Sequence, residues 1–213
     1  MPSQRSLLTA IGLAFVVQGL ASPIAPLRRA LPTPPTVATS KTYLSALTVD
    51  DNPTNSPAYA RDLFKTWDII SGTCDTRETV LKRDGTSVVT DSACKATSGK
   101  WVSPYDNVAT TLASDLDIDH IVPLKEAWIS GAKSWTSAQR ESFANDLTRP
   151  QLVAVTDNLN ESKGDKDPAN WLPPLTSFQC EYARAYISVK HYYDLTVDSA
   201  EKTALSNVLN NVC

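Results

Sequence analysis

The chain has 213 residues but only two histidines, so any imidazole chemistry rests on His120, His191 or both. His120 follows directly on Asp119, in the run Asp119-His-Ile-Val-Pro123. Imidazole titrates near neutrality, so a histidine held in place can take a proton from water at working pH. Asp119 and, further along, Asn160 carry hard oxygen donors, suited to Mg²⁺ or Mn²⁺ with water completing the shell. Glu126, seven residues after Asp119, either joins that shell or is a surface carboxylate. Lys163 lies three residues after Asn160, which puts both on one face of a helix. His191, in Lys190-His-Tyr-Tyr, has no comparable neighbours and reads as structural.

Elements are needed to hold these groups. Asp115-Leu-Asp-Ile-Asp-His alternates polar and apolar residues up to Ile118, which predicts a strand ending at Asp119-His120. A helix is expected over about 137–147, with Thr136 and Gln139 as its capping box. Gln151-Leu-Val-Ala-Val reads as a second strand, and the polar run after it has room for a short helix before Pro168. The flanks read as scaffold. One helix is predicted to start at Pro57, capped by Ser56, with Tyr59, Leu63, Phe64, Trp67 and Ile70 on one face and Gly72 as its stop. Residues 79–90 predict a hairpin turning at Asp84-Gly85, and residues 100–105 a further short strand. Phe178, Tyr182, Ala185, Tyr186, Val189 and Tyr193 mark an amphipathic helix. A last helix opens at Asp198, with Glu201 three residues on as a capping-box partner.

Composition sets the limits. At 42% hydrophobic and 20% charged, the sequence is that of an ordinary folded protein. No run reaches the ~18 apolar residues that would span a bilayer, so no membrane span is expected. Residues 1–21 look like a secretory signal: Arg5 is the positive start, 7–17 the apolar core, and Gly19 and Ala21 the small residues before a cut. Residues 22–29 end in Arg28-Arg29, either a propeptide cleavage site or a plain surface pair. Residues 30–55 read as an extended, Pro-rich lead-in, and 56–213 as one domain. The formal charge is −3, and −6 once the three arginines of residues 1–29 are gone, so a generally basic coat for nucleic acid is excluded. Secretion makes Cys74, Cys94, Cys180 and Cys213 an even set in an oxidising compartment, and two disulfides follow. Cys74–Cys94 with Cys180–Cys213 is the favoured pairing, because each bridge closes a compact stretch of its own. Zinc is disfavoured: no two cysteines have knuckle spacing.

Taken in order, Asp119-His120-Ile-Val-Pro123, Gln151-Leu-Val-Ala-Val and Asn160-Glu-Ser-Lys163 resemble the ββα-metal fold of HNH endonucleases. Leu124-Lys-Glu-Ala-Trp-Ile-Ser-Gly-Ala, Phe143-Ala-Asn-Asp-Leu and Ser162-Lys-Gly-Asp-Lys-Asp-Pro-Ala-Asn-Trp resemble the secreted HNH nucleases of fungi and actinobacteria, relatives of the HNH half of the GmrSD restriction enzymes. The resemblance implies an α+β chain, with a ββα-metal core at about 115–171 inside a mostly helical domain carrying short hairpins. It implies a secreted, metal-dependent endonuclease that cuts DNA, and RNA as a second possibility, with little sequence preference, leaving 5′-phosphate and 3′-hydroxyl ends. His120 would be the general base, and Asp119 with Asn160 would hold one divalent metal, Mg²⁺ first, with Mn²⁺, Zn²⁺ or Ca²⁺ as alternatives. The sequence departs from the pattern at the middle letter. Gln151 stands where many HNH enzymes have Asn to prop the loop that carries the base, and Asn145 is the other candidate. For phosphate contacts Lys163 comes first, then Lys166, Arg140, Arg77 and Arg184. No obligate protein partner is expected, and the chain is read as a monomer.

Asn160-Glu-Ser162 is also an N-glycosylation sequon, and a glycan there would remove a metal ligand, so Asn160 is expected to be unmodified. Two rivals remain. A catalytically silent, disulfide-stapled effector or binding protein would share the fold but have an altered Asp-His or Asn motif. A Ser-His-Asp hydrolase would need a nucleophile, and no Gly-x-Ser-x-Gly elbow marks one.

Overall fold

A computed structural model describes residues 31–213; the expected signal and propeptide segments lie outside the described residues. The first element, α1 (Val37–Ala46), corrects the reading of residues 30–55 as an extended lead-in. Pro32, Pro34 and Pro35 precede Thr36, whose hydroxyl caps the helix by accepting from Thr39 N, and Pro53 follows its end, so no proline falls inside it. Leu31, Leu44 and Leu47 are buried in the main core, and α1 packs on the two C-terminal helices.

The helix expected from Pro57 does not form. Only Arg61–Leu63 makes a single 3-10 turn, Phe64 is extended, and Trp67 sits at φ 64°. The reason lies in what the backbone carbonyls do. Those of Pro57, Leu63 and Lys65 accept from the side chains of Trp128, Arg140 and Asn145 instead of from amides one turn on. The apolar residues are used singly: Phe64 packs edge-on to Phe143 and Trp128.

Next come β1 (Ile69–Ser71) and β2 (Cys74–Asp75), an antiparallel pair, and α2 (Thr76–Asp84), capped by Asp75. This helix replaces the first arm of the predicted hairpin. Val80 and Leu81 bury its inner face, which two adjacent residues can do on a helix but not on one face of a strand. Gly85 is the residue after that helix rather than a hairpin turn, and a Cβ there would come within 2.5 Å of the Trp101 indole. The hairpin begins one element later, from β3 (Thr86–Thr90) to β4 (Ala96–Val102), with β5 (Ala109–Thr110) on its other edge. The strand expected at 100–105 therefore ends at Val102.

The centre follows expectation closely. β6 (Leu116–His120) leads through α3 (Leu124–Ile129) and α4 (Ser137–Ala144) to β7 (Leu152–Thr156), and α5 (Asp157–Lys163) follows without a loop. The capping box of Thr136 and Gln139 opens α4. β6 and β7 pair antiparallel, with His120 opposite Leu152 and Asp119 opposite Val153. Every residue of β7 is buried, because Leu152 and Ala154 face a small core with Trp101 while Val153 and Val155 face the main one. The scaffold ends with α6 (Thr176–Tyr192) and α7 (Ser199–Asn211), the latter opened by the Asp198–Glu201 capping box. The fold is thus α+β with seven helices among the described residues, and both disulfides, Cys74–Cys94 and Cys180–Cys213, form in the favoured pairing.

A buried charge cluster ties α3, α6 and α7 together. The Lys190 ammonium, fully buried, donates to Glu126 Oε1 at 2.7 Å, Glu201 Oε2 at 2.9 Å and the Thr196 carbonyl at 2.8 Å. Burial pushes the Glu201 carboxyl up to about 7, with Lys190 pulling it down and Glu126 adding to the rise. Folded Glu201 therefore keeps a proton that the unfolded chain releases near the ordinary value of 4.5. The expected outcome is stability that falls as pH rises from about 4.5 to about 7. Thermal melts from about pH 5 to about pH 8 should show a steeper loss for the wild type than for Glu201→Gln; parallel curves would contradict this.

Candidate active site

His120 is the last residue of β6, and a side-chain clamp fixes the turn that follows it. Gln151, fully buried, donates from Nε2 to the Val122 carbonyl at 2.9 Å and accepts at Oε1 from Val122 N at 3.0 Å. The Gln151 carbonyl also takes Ile121 N at 2.7 Å. Asn145 does different work. Its Oδ1 accepts from Asp68 N and the Thr76 hydroxyl at 3.0 and 2.8 Å, and its Nδ2 donates to the Lys65 and Glu141 carbonyls, both at 2.9 Å. Of the two residues considered for the loop-propping role, Gln151 touches the loop after the histidine and Asn145 does not.

The His120 imidazole is buried, and its Nε2 lies 2.9 Å from the Ala144 carbonyl. A carbonyl only accepts, so Nε2 carries the proton and Nδ1 keeps its lone pair. The Trp67 ring lies nearly parallel to the imidazole, with centroids 6.1 Å apart. Burial holds the His120 pKa down, to about 3, against the bond to Ala144 and with help from the charges of Arg61 and Lys163. The ring is therefore neutral through the physiological range.

Asp119 sits beside it with its carboxylate already organised. Lys163 Nζ donates to Oδ1 at 2.9 Å, to Oδ2 at 2.8 Å and to the His120 carbonyl at 2.7 Å, and the Tyr105 hydroxyl donates to Oδ2. Burial raises the Asp119 carboxyl while Lys163 pulls it back, and burial lowers the Lys163 ammonium while Asp119 pulls it up. Lys163 is thus no phosphate contact, contrary to expectation. It does share a helix face with Asn160, but that face packs on β6 and the long stem runs inward to a fully buried ammonium. Asn160, half-buried on α5, donates from Nδ2 to Asp117 Oδ2 at 3.0 Å and keeps Oδ1 as an acceptor.

These residues meet in a cleft of about 220 Å³ whose walls include Arg61, Asp119, His120, Asn160, Glu161 and Asp165. Among the described residues no three His, Cys, Asp or Glu side chains gather into a metal cage. The cleft instead offers the Asp119 carboxylate and the Asn160 amide oxygen. Three of the carboxylate's roughly four acceptor positions are in use, which leaves one free. Two oxygen ligands with the remainder water is a donor set that fits Mg²⁺.

The other expected site residues lie elsewhere. Glu126 belongs to the buried Lys190 cluster, not to a metal shell. Arg140 donates to the Leu63 and Trp135 carbonyls, Arg77 to those of Ala113 and Leu116, and Arg184 to that of Pro35. Lys166 is exposed and turns back to the Ser162 carbonyl. Each guanidinium satisfies irregular backbone, and a charge count along a sequence gives no sign of that. Arg61 and Trp67 are the residues sequence reading missed. Both fall in a stretch whose helical spacing forms no helix, and Ala-Arg-Asp-Leu carries no motif.

With this geometry in hand, the comparisons place the chain. Residues 75–208 match the family described as GmrSD restriction endonucleases, C-terminal domain, and the chain belongs to that HNH-type nuclease family. A protein of Arthroderma benhamiae, described as an uncharacterized secreted protein, is 57% identical over 183 residues, covering 84% of this chain and 89% of its own length. No solved structure matches.

The geometry also bears on the sequon. A glycan on Asn160 would attach at Nδ2, the atom that bonds Asp117 at the cleft wall. Peptide mass spectrometry of protein secreted from a glycosylating host should find Asn160 unmodified; an occupied site in active protein would refute its place in the centre.

Proposed function

We propose that the protein is a secreted, metal-dependent endonuclease that hydrolyses phosphodiester bonds of DNA, with RNA as a second substrate and little sequence preference. The observation that carries this reading is the tautomer of His120. Its Nε2–H is fixed by the Ala144 carbonyl, which leaves Nδ1 as the ring's acceptor, and His120 lines the same cleft as Asp119 and Asn160. Membership of the nuclease family supports it, and the 57% identical relative described as secreted and the two disulfides support an extracellular setting.

Hydrolysis of a phosphodiester needs a deprotonated water, neutralisation of charge on the phosphate and help for the leaving oxygen. His120 Nδ1 takes the water proton. An imidazole that stays neutral is always ready to accept one, and its low basicity in the free enzyme reflects burial and two nearby cations. A bound phosphate brings negative charge beside the ring and raises that basicity. Gln151 keeps the ring on station by fixing the Ile121-Val122 turn, and Lys163 with Tyr105 holds the Asp119 carboxylate toward the cleft without side-chain rearrangement. A divalent cation held by Asp119 and Asn160, Mg²⁺ first, would supply Lewis-acid stabilisation of charge on the phosphate and the leaving oxygen. Cleavage then leaves 5′-phosphate and 3′-hydroxyl ends.

A supercoiled-plasmid assay tests this directly. The purified chain should nick and linearise DNA with Mg²⁺ and stop with EDTA. His120→Ala should lose roughly 10²- to 10⁴-fold in rate with unchanged circular dichroism. Cleavage that survives both EDTA and the substitution would sink the mechanism. An inert wild type would point to a silent binding protein on the same fold.

A further inference from the structure

The family match begins at residue 75, and the segment before it reaches the cleft at Arg61. Residues 54–68 have almost no secondary structure and are held as a strap by side chains of the domain. Lys133 donates to the Thr54 carbonyl at 3.1 Å, Trp128 to that of Pro57 at 2.8 Å and Arg140 to that of Leu63 at 2.9 Å. Asn145 grips the strap at Lys65 and Asp68, and Trp67 lies along the imidazole. Four independent anchors fix a stretch that has no ladder of its own.

What the strap delivers is Arg61, exposed and lining the cleft with His120, Asp119 and Asn160. Among the described residues Arg61 makes no ion pair with a carboxylate and meets the neutral Tyr59 hydroxyl, while the cations nearest it are held by carboxylates or backbone. Lys163 is locked to Asp119, Lys125 pairs with Asp165, and Arg140 is committed to backbone carbonyls. The other charged residues of the cleft wall are all acidic: Asp119, Glu161 and Asp165. A polyanion can enter such a cleft only where something offsets that charge. A guanidinium is always charged, and its planar fork of donors matches phosphate oxygens in pairs.

Resting on the nuclease reading above, we propose that Arg61 binds the phosphate of the bond presented to His120, and that this grip comes from the strap outside the family domain. None of the five cations chosen from the sequence supplies it.

The test measures binding apart from cleavage. In a His120→Ala background with Mg²⁺ held constant, affinity for a DNA duplex is measured over a KCl series, with and without Arg61→Ala. Loss of Arg61 should weaken binding by roughly 10- to 100-fold. It should also make the plot of log affinity against log salt shallower by about 0.9, the share of one phosphate contact on duplex DNA. Arg61→Lys should recover part of the affinity and the full salt slope. The thermal midpoint should stay put, because the side chain is exposed. Unchanged affinity, or weaker binding with an unchanged slope, would overturn the proposal for a wild type that cleaves DNA. A folded wild type that cleaves neither DNA nor RNA would overturn the nuclease reading and Arg61's role with it. The plasmid assay tells the two failures apart.

Discussion

One buried ammonium holds the site to the fold. Lys163 reaches from the last turn of α5 to the end of β6 and uses all three of its N–H donors, two on Asp119 and one on the His120 carbonyl. A charge this deep is tolerated only when paired and fully hydrogen-bonded. Removing one partner of such a pair typically costs about 3–5 kcal/mol, because the other charge is left buried alone. The same contact that docks α5 on the strand pair therefore aims the carboxylate and pins the backbone of the histidine.

Around that pair the site uses amides as clamps. Gln151 closes both backbone groups of Val122, and Asn145 spends its whole bonding capacity on the strap, Thr76 and α4. Each holds irregular backbone that no strand or helix would fix. Neutral amides do this without adding charge beside the buried imidazole. The longer stem of Gln151 suits its place one residue before β7, from which it must reach across to the neighbouring turn. A buried amide with both ends satisfied is also intolerant of movement, and this one holds the turn that follows His120 in a single position.

How much of this was legible depended on whether a residue's work was local. Both capping boxes, the β6–β7 pair and the disulfide pairing depend on spacing within a short stretch, and they are found where spacing put them. The failures share a cause of another kind. Tyr59, Leu63, Phe64 and Trp67 have helical spacing, but distant side chains take the carbonyls that a helix would use. Residues 79–90 carry turn signals at Asp84-Gly85, but that glycine is needed for its closeness to Trp101 and the residues before it wind into α2. Lys163 and Glu126 were placed by charge at the site, whereas burial decides their roles, and burial is set by elements far along the chain. That Asp119, His120 and Asn160 belong together was legible in their motif, and they line one cleft; the electrostatics around them were not legible.

Those electrostatics resolve the tension between an acidic chain and a polyanionic substrate. Long-range attraction is not available, since without residues 1–29 the formal charge is −6. Beyond a Debye length of about 8 Å at physiological salt, however, that charge is largely screened. Inside that distance local geometry governs. The cations that fold the chain, Lys163, Lys190 and Arg140, are buried and do not act on substrate. Rising salt thus has two opposed effects: it relaxes the general repulsion and weakens any phosphate contact within the cleft. A basic groove would have only the second. Any binding that such an arrangement gives is local, resting on the few groups that line the cleft. Affinity for the ground-state duplex contributes nothing to the chemical step, whereas groups organised beside the phosphate do.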